Sequence, residues 1–403
     1  MSGCLPFVLA LGLWVVSGCV QSPIAPPQPA KLEDVFDLQK LRSIGGAITK
    51  AQEEKRLPGG VFWVERNGVH FTEAYGKASV EPVHSPAQPN TIYDVASLTK
   101  VVATTTAVLL LHERGNLSID DPVTKHLPEF TGGGRDAVTL RHLLTHTSGL
   151  RPDISLAGWN GHAECIAKCV AEKLRSKPGE KFRYSDINFQ LLDEIIRRVT
   201  NRRLDLFCEK EIFGPLKMID TGYNPPLEKH SRVAPTTVTN GKALQGIVHD
   251  PRARKTEGVA GHAGLFTTAP DLARYAKMLL QGGKLDGTRL FKPETVKLMT
   301  TVQTPSVLSL RRGLGWDIDS GYSSPRGSVF PLGSYGHTGF TGTSIWIDPF
   351  SKTFVIFLCN RIHPIEKSPS VSPLRRVIGT LAAEAVKGFD FDNVAGALPA
   401  RDT

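Results

Sequence analysis

The sequence lacks several patterns that mark common classes of protein. Its six cysteines include no Cys-x-x-Cys pair and form no cluster with histidine, so the residues predict no structural zinc site. Neither a Gly-x-Ser-x-Gly turn nor a His-Glu-x-x-His motif occurs, which removes the usual α/β-hydrolase and zinc-peptidase patterns. No basic run interleaved with aromatic residues is present, and we expect no nucleic acid partner.

Charge is not concentrated in one region either. The formal net charge of +9 is spread along the chain without a long basic run. It is compatible with an anionic membrane surface or wall polymer nearby, but selects neither. With 403 residues, of which 40% are hydrophobic, the chain is long enough to bury a substantial core.

The first 18 residues carry no charged side chain. The apolar stretch 5–16 is too short for a membrane span but suits the core of a signal peptide. It leads into Val16-Ser17-Gly18-Cys19, which resembles the lipobox of bacterial lipoproteins, whose cysteine is lipidated. We therefore expect a lipoprotein signal peptide over 1–18 and lipidation at Cys19, with an ordinary cleaved signal peptide as the alternative. The Pro-rich residues 19–35 predict an extended linker.

Hydrophobic periodicity predicts a helix and a β-hairpin near each end of the remaining chain. Residues 38–57 have helical spacing, and residues 61–72 predict a β-hairpin around Asn67-Gly68. A second hairpin is predicted over 343–358, and an amphipathic helix over 373–387.

These elements predict an α/β (α+β) fold in which both chain ends build one sheet. The predicted units are an α/β subdomain over 36–96 and 300–390, a mainly helical subdomain over 97–299, and a C-terminal tail over 391–403.

The segment 94–111 carries the first candidate for catalysis. Ser97 begins an uninterrupted helix-length run that ends at Gly115, and Lys100 follows three residues later, on the same helical face. A lysine of lowered pKa could accept the serine proton, and the helix N-terminus could stabilise negative charge on a substrate. The pattern is short. The alternative is a serine and a surface lysine on an ordinary core helix.

Two further segments supply candidate partners. Tyr184 follows a Pro-Gly turn and could exchange protons with Ser97 in a cleft, or it could be a structural tyrosine with Asp186 capping the next helix. The glycine-rich stretch 336–342 precedes the second hairpin and contains His337 and Thr338 as donors. Its strand could pair with an extended peptide-like substrate, or the histidine could simply cap a strand.

In this order, Ser97-x-x-Lys100, Tyr184-Ser185-Asp186 and His337-Thr338-Gly339 resemble the motif set of serine β-lactamases and penicillin-binding proteins. With a tyrosine in its second motif, the sequence resembles the branch that contains class C β-lactamases, D-alanyl-D-alanine carboxypeptidases and related esterases. The resemblance covers roughly residues 38–388. Other stretches also look like this family, closest to the penicillin-binding protein 4B type: residues 145–150, 248–251, 258–266 and 360–364.

The resemblance implies a β-lactamase/transpeptidase-like fold with an antiparallel sheet, flanking terminal helices, an all-helical subdomain and an active site between them. It also implies a serine hydrolase that forms an acyl-enzyme without a metal or organic cofactor. Ser97 would be the nucleophile, Lys100 its proton partner and Tyr184 the acid/base that serves the leaving group.

The resemblance likewise implies how a substrate would be held. His337 and Thr338 would bind the substrate carboxylate, and the N–H groups of Ser97 and of Phe340, which follows Gly339, would form the oxyanion hole.

Two departures from the family pattern shape the expected substrate. Asp186 replaces the usual asparagine and His337 replaces the commoner lysine, which leaves acyl transfer plausible but argues against efficient β-lactam hydrolysis. We expect a peptidoglycan-type D-amino-acid peptide or a small ester as substrate, in a bacterial cell-envelope protein anchored to the membrane by lipid. The alternatives are a carboxylesterase or weak β-lactamase of the same fold, and a non-catalytic envelope binding protein.

Overall fold

The computed structural model describes residues 1–3 and 30–400, so the predicted signal peptide core and Cys19 lie outside the described residues. Its α-helices are α1 (Leu32–Val35), α2 (Leu38–Glu53), α3 (Thr106–Glu113), α4 (Leu140–Leu144), α5 (Gly161–Val170), α6 (Asp186–Thr200), α7 (Leu204–Cys208), α8 (Pro251–Lys255), α9 (Ala269–Leu280), α10 (Pro293–Thr300) and α11 (Ser372–Glu384). Two π-helical segments span Lys100–Thr105 and Glu209–Phe213. Short 3-10 helices span Val123–Lys125, Arg135–Ala137, Leu227–Arg232 and Ser324–Arg326.

The strands are β1 (Gly59–Arg66), β2 (Val69–Ser79), β3 (Ser85–Pro86), β4 (Tyr93–Asp94), β5 (Gly222–Tyr223), β6 (Val238–Thr239), β7 (Lys242–Ala243), β8 (Leu265–Thr267), β9 (Lys284–Leu285), β10 (Thr288–Arg289), β11 (Arg311–Arg312), β12 (Asp317–Asp319), β13 (Tyr335–Thr338), β14 (Ser344–Asp348) and β15 (Thr353–Cys359). The main sheet is antiparallel with eight strands in the order β11-β12-β13-β14-β15-β1-β2-β3. Small sheets join β4-β8-β5, β9-β10 and β6-β7.

The N-terminal and C-terminal hairpins meet at the centre of the main sheet. β1 pairs with β2 on one side and with β15 on the other, so that Trp63 lies opposite both Thr72 and Ile356. The turn between β1 and β2 has φ of 51° at Asn67 and 85° at Gly68, as a tight turn with two left-handed residues requires. The predicted hairpins and the split sheet are confirmed.

Both faces of the central strands are buried, and the alternation of side chains explains how. Val61 and Trp63 of β1 join a large core shared with the helical region. Phe62 and Val64 point to the opposite face, where they pack in a second core with residues of α2 and α11. The sheet is therefore the middle layer between the paired terminal helices and the helical segments.

This layering places the three candidate motifs at one side of the sheet. β13, which carries His337, lies next to the β14–β15 hairpin, while Ser97 and Tyr184 come from the middle of the chain. Residues from Lys31 onward form one compact unit, and the middle of the chain contributes short strands as well as helices. The four cysteines in the described part of the chain are buried and unbridged: Cys165, Cys169, Cys208 and Cys359.

Candidate active site

Ser97 lies in a turn directly before the helical segment, not inside an uninterrupted α-helix. After Leu98 and Thr99, which have α-helical geometry, Lys100–Thr105 are π-helical, and α3 begins at Thr106. The preceding Ala96 has φ of 46°, an unusual value for a side chain with Cβ, of the kind found at functional sites. The Lys100 N–H donates to the Ser97 carbonyl at 3.1 Å, so one turn still brings the two side chains together.

Lys100 is fully buried and contacts three other polar groups of the site. Its Nζ donates to Ser97 Oγ at 3.0 Å and to the carbonyl of His262 at 3.1 Å. The same Nζ lies 2.7 Å from Oδ1 of Asp186, the first residue of α6. Ser185, and not Asp186, is the N-cap of that helix, and the Asp186 carboxylate forms an ion pair with Lys100 instead.

Electrostatics keep the proton on Lys100. Burial by itself lowers the pKa of the Lys100 amine, but the charge of Asp186, then Tyr184, and hydrogen bonding to both residues outweigh it. The net result is a pKa above the usual range for lysine. The resting site therefore contains an ammonium–carboxylate pair beside the Ser97 hydroxyl.

Tyr184 is half-buried between the other two motifs. Its ring lies under the Lys100 ammonium, 4.9 Å from Nζ to the ring centroid, and 6.2 Å from the ring of His337. On its remaining sides it contacts His146, at a ring distance of 4.3 Å, and Tyr322, at 5.4 Å. The three motifs singled out in the sequence are thus neighbours in space.

His337 and Thr338 occupy the end of β13 at the edge of the same cleft. His337 Nδ1 donates to the Thr338 carbonyl at 2.9 Å. Burial, together with Arg312 and Lys100, holds the pKa of His337 well below its usual range, so the ring is neutral at physiological pH. His337 therefore offers a hydrogen-bond group but no fixed charge.

The turn after β13 lies against the backbone just before Ser97. The hydroxyl of Thr343 donates to the Val95 carbonyl at 3.2 Å, and Arg375 holds the turn by donating to the carbonyls of Gly339 and Thr343, each at 2.8 Å. Among the described residues, the N–H groups of Ser97 and Phe340 have no hydrogen-bond partner. Two free donors beside the serine hydroxyl have the chemistry of an oxyanion hole.

Two cavities meet at Ser97, Tyr184 and Phe340. One, of about 400 Å³, is also lined by Arg312, Arg361, Arg375 and Tyr322. The other, of about 830 Å³, is lined by Asp153, Asp186, Asp250, Arg252, Arg254, His249 and His262. The nucleophile thus lies between a cationic half and a half of mixed charge.

The sequence analysis did not identify the arginines of the first cavity. Arg312 is fully buried, and its Nη1 donates to Asp317 at 3.2 Å, while Nε has no partner among the described residues. Arg361 lies over the exposed ring of Phe340, 4.9 Å from its centroid. Arg312, on the sheet edge, left no local signal because lone arginines are common in any chain, whereas Arg361, in the loop after β15, lies within the family-like residues 360–364.

The groups that could bind a metal are limited. In residues 1–3 and 30–400, no set of three or more His, Cys, Asp or Glu side chains is arranged to hold a metal ion.

His262 and Asp250 form a pair, with Nε2 3.1 Å from Oδ1, and this pairing raises the pKa of His262 to about 9 against the lowering effect of burial.

The family model described as Beta-lactamase matches residues 45–380. A protein of Escherichia coli (strain K12) named "Putative D-alanyl-D-alanine carboxypeptidase" is 30% identical, over 90% of this chain and 92% of its own length.

Solved structures show the same fold at lower identity. A class C beta-lactamase aligns with a TM-score of 0.70 at 22% identity, covering 87% of this chain and 98% of its own. A penicillin-binding protein homologue from Caulobacter crescentus aligns with a TM-score of 0.68 at 23% identity, covering 87% of this chain and 98% of its own. The predicted fold and family resemblance are confirmed by these matches.

Proposed function

Because this chain belongs to the beta-lactamase family of serine hydrolases, we propose that it cleaves peptides that end in a D-amino acid with a free carboxylate. The observation that carries the proposal is the position of Ser97. It contacts Lys100 at 3.0 Å and lines a cavity whose buried Arg312 has a free Nε. A carboxylate beside the cleaved bond would find a cation there.

The proposed reaction has two steps. Ser97 Oγ attacks the peptide carbonyl carbon, its proton passes to the phenolate oxygen of Tyr184, and the N–H groups of Ser97 and Phe340 donate to the carbonyl oxygen on which negative charge develops. The C–N bond then breaks and Tyr184 returns the proton to the leaving amine. Water hydrolyses the resulting ester and regenerates Ser97.

Lys100 has a different role in this scheme from that of a simple base. As an ammonium group paired with Asp186 it cannot accept the Ser97 proton at rest. We propose that it stabilises negative charge on Ser97 Oγ and on Tyr184, both of which it contacts. Turnover through the neutral amine would require that Lys100 first lose its proton.

The free carboxylate distinguishes this proposal from hydrolysis of a small neutral ester. His337 is neutral, so it cannot supply the charge that lysine gives in relatives. Arg312 and Arg361 line the same cavity and can supply it instead. The related E. coli protein is named "Putative D-alanyl-D-alanine carboxypeptidase", which supports the same substrate class.

A fluorescent penicillin tests the proposal in one gel. We expect covalent labelling of the purified protein, absent in Ser97→Ala, and a label that persists through a chase with unlabelled penicillin while a D-Ala-D-Ala peptide is hydrolysed. The β-lactam leaving amine stays tethered after ring opening and obstructs water, whereas a peptide amine departs.

Other outcomes identify the alternatives. Rapid loss of label with matching penicillin hydrolysis would make the protein a β-lactamase. No label with brisk hydrolysis of p-nitrophenyl esters would make it an esterase. Absence of label and of every turnover would leave a non-catalytic binding protein, and residual turnover above about a tenth of wild type in Ser97→Ala, equal to ~1.4 kcal/mol of barrier, would reject Ser97 as nucleophile.

A further inference from the structure

His146, at the end of the turn after α4, has three features of a residue under constraint. It is fully buried, with 0% of its surface exposed. Its φ is 58°, in the left-handed region, which is uncommon for residues with a Cβ although histidine adopts it more often than most. Its Nε2 atom has no hydrogen-bond partner among the described residues, although it is enclosed.

His146 accepts hydrogen bonds from the residues immediately before and after Tyr184 in the chain. The N–H of Arg183 donates to the His146 carbonyl at 2.9 Å, and the N–H of Ser185 donates to His146 Nδ1 at 3.0 Å. Between these two hydrogen bonds, the His146 ring stacks on the Tyr184 ring with centroids 4.3 Å apart and an interplanar angle of 25°. His146 therefore contacts the Tyr184 ring and also the backbone N–H groups of the residues on either side of it.

The protonation state of His146 is suited to this use. Nδ1 accepts a hydrogen bond from a backbone N–H, so it must carry a lone pair, and the ring proton lies on Nε2. Burial, together with Arg312 and Lys100, holds the pKa of His146 well below its usual range, so the neutral ring is retained. A second proton would break the Ser185 hydrogen bond.

We infer that His146 is a positioning residue for Tyr184. It fixes the height and tilt of the Tyr184 phenol relative to Ser97. The inference rests on the proposed role of Tyr184 as the proton carrier. The left-handed backbone at His146 is explained by the same function, because it allows one residue to present its carbonyl and its ring to the same segment.

Two variants separate the hydrogen bond from the stacking. His146→Asn keeps an acceptor oxygen and tolerates the left-handed backbone, but removes the ring. His146→Phe keeps a ring and removes the acceptor. We expect each to lower kcat for a D-Ala-D-Ala peptide by about tenfold or more with little change in KM, since displacement of a reacting group by ~1 Å can cost ~100-fold.

A double-mutant cycle with Tyr184→Phe makes the test specific. If His146 acts through the phenol, its substitution should cost less than about twofold in the Tyr184→Phe background, because the interaction it supports is already gone. His142→Asn is the matched control: His142 lies one turn earlier, accepts a hydrogen bond from the Thr139 N–H, and should stay within about twofold of wild type in both backgrounds.

The outcomes are distinguishable. An equal loss of kcat in both backgrounds would mean a general structural role and would overturn the inference, as would wild-type kcat in His146→Asn. If Tyr184→Phe itself retains wild-type kcat, the proposed role of Tyr184 fails, and the inference fails with it. Should His146→Phe not fold, as judged by its thermal transition, His146→Asn decides alone.

Discussion

Lys100 shows how one buried charge depends on one partner. Its side chain is fully enclosed, an environment that by itself favours the neutral amine, and Asp186 at 2.7 Å reverses that preference. The motif set that the sequence resembles has asparagine at the position of Asp186. The carboxylate is thus the substitution that decides the charge of the lysine in this chain.

Replacing Asp186 with asparagine should lower the pKa of Lys100, because the negative charge that raises it is removed while burial remains. If turnover draws on the neutral amine, the acidic limb of kcat/KM against pH should move to lower pH by about one unit or more, equivalent to ~1.4 kcal/mol. The measurement is a pH profile with a D-Ala-D-Ala peptide. Glu194→Gln, on the same helix but paired with His162, is the control. An unmoved limb would show that turnover does not draw on a neutral lysine whose charge Asp186 controls.

Arg312 should determine selectivity for substrates with a free carboxylate. Arg312→Met removes a charge that lines the cavity, and we expect kcat/KM for an aryl ester with a carboxylate on its leaving group to fall by about tenfold or more. The matched neutral ester should fall by much less. Arg326→Met, which removes an arginine paired with Asp319, is the control. Equal losses for both esters would mean that Arg312 only supports the fold.

The turn after β13 shows why glycine is required in one element of the site. A Cβ on Gly339 would lie 2.2 Å from Thr343 Oγ1 and 2.5 Å from the carbonyl of Val95, which precedes Ser97 by two residues. Neither neighbour can easily retreat, because Thr343 Oγ1 also bonds the Val95 carbonyl. A methyl group would therefore push the strand away from the nucleophile.

Gly339→Ala should slow acylation by penicillin and lower the free energy of unfolding by about 1–3 kcal/mol, as overpacking commonly does. Gly46→Ala, on the exposed face of α2, is the opposite case, because nothing lies within 4 Å of its Cβ position. It should raise stability by about 0.5–1 kcal/mol with no change in acylation. Urea unfolding and labelling rates measure both. Normal acylation in Gly339→Ala would refute the close packing.

The π-helical segment is a second feature at the scale of elements. Spacing alone predicts an α-helix from Ser97 onward, yet Lys100–Thr105 has the wider π geometry and every residue in it is buried. Such segments are often found at functional sites. The Thr104 hydroxyl donates to the Gly261 carbonyl at 2.6 Å, and the Thr106 hydroxyl donates to the Val101 carbonyl at 3.0 Å.

At the scale of the whole molecule, the main sheet combines strands β1–β3 with strands β11–β15. The cleft lies between this sheet and the helices. In the part of the chain that the structure describes, no helix has the length and apolar character needed to cross a bilayer. The lipid anchor at Cys19 lies outside those residues and remains a proposal based on Val16-Ser17-Gly18-Cys19.

Cys19→Ala tests the proposed anchor in a bacterial host. We expect the wild-type protein in the membrane pellet and the variant in the soluble fraction, because the thiol that would carry the lipid is gone. Labelling with a fatty-acid analogue should occur only in the wild type. A wild-type protein that is never labelled would leave simple export as the explanation. Cys208→Ala, which changes a buried thiol of the folded part, is the control for loss of a cysteine.

The sequence by itself determined the elements whose cause is local. Asn67-Gly68 predicts its turn because few other residue pairs accept two left-handed conformations, and apolar spacing predicts α2 and α11 because each buries one face. The order of Ser97, Tyr184 and His337 predicted the site because the chemistry needs those side chains together. Their contact in one cleft agrees with that prediction, while their catalytic roles stay predictions.

Only the tertiary structure decided what depends on contacts between distant residues. The charge on Lys100 follows from Asp186, the neutrality of His337 from burial near Arg312, and the place of Tyr184 from His146. A pKa or a ring position is set by the atoms within a few ångströms, and those atoms come from segments far apart in sequence. No spacing along the chain encodes such a neighbourhood, because it exists only after the layers have packed.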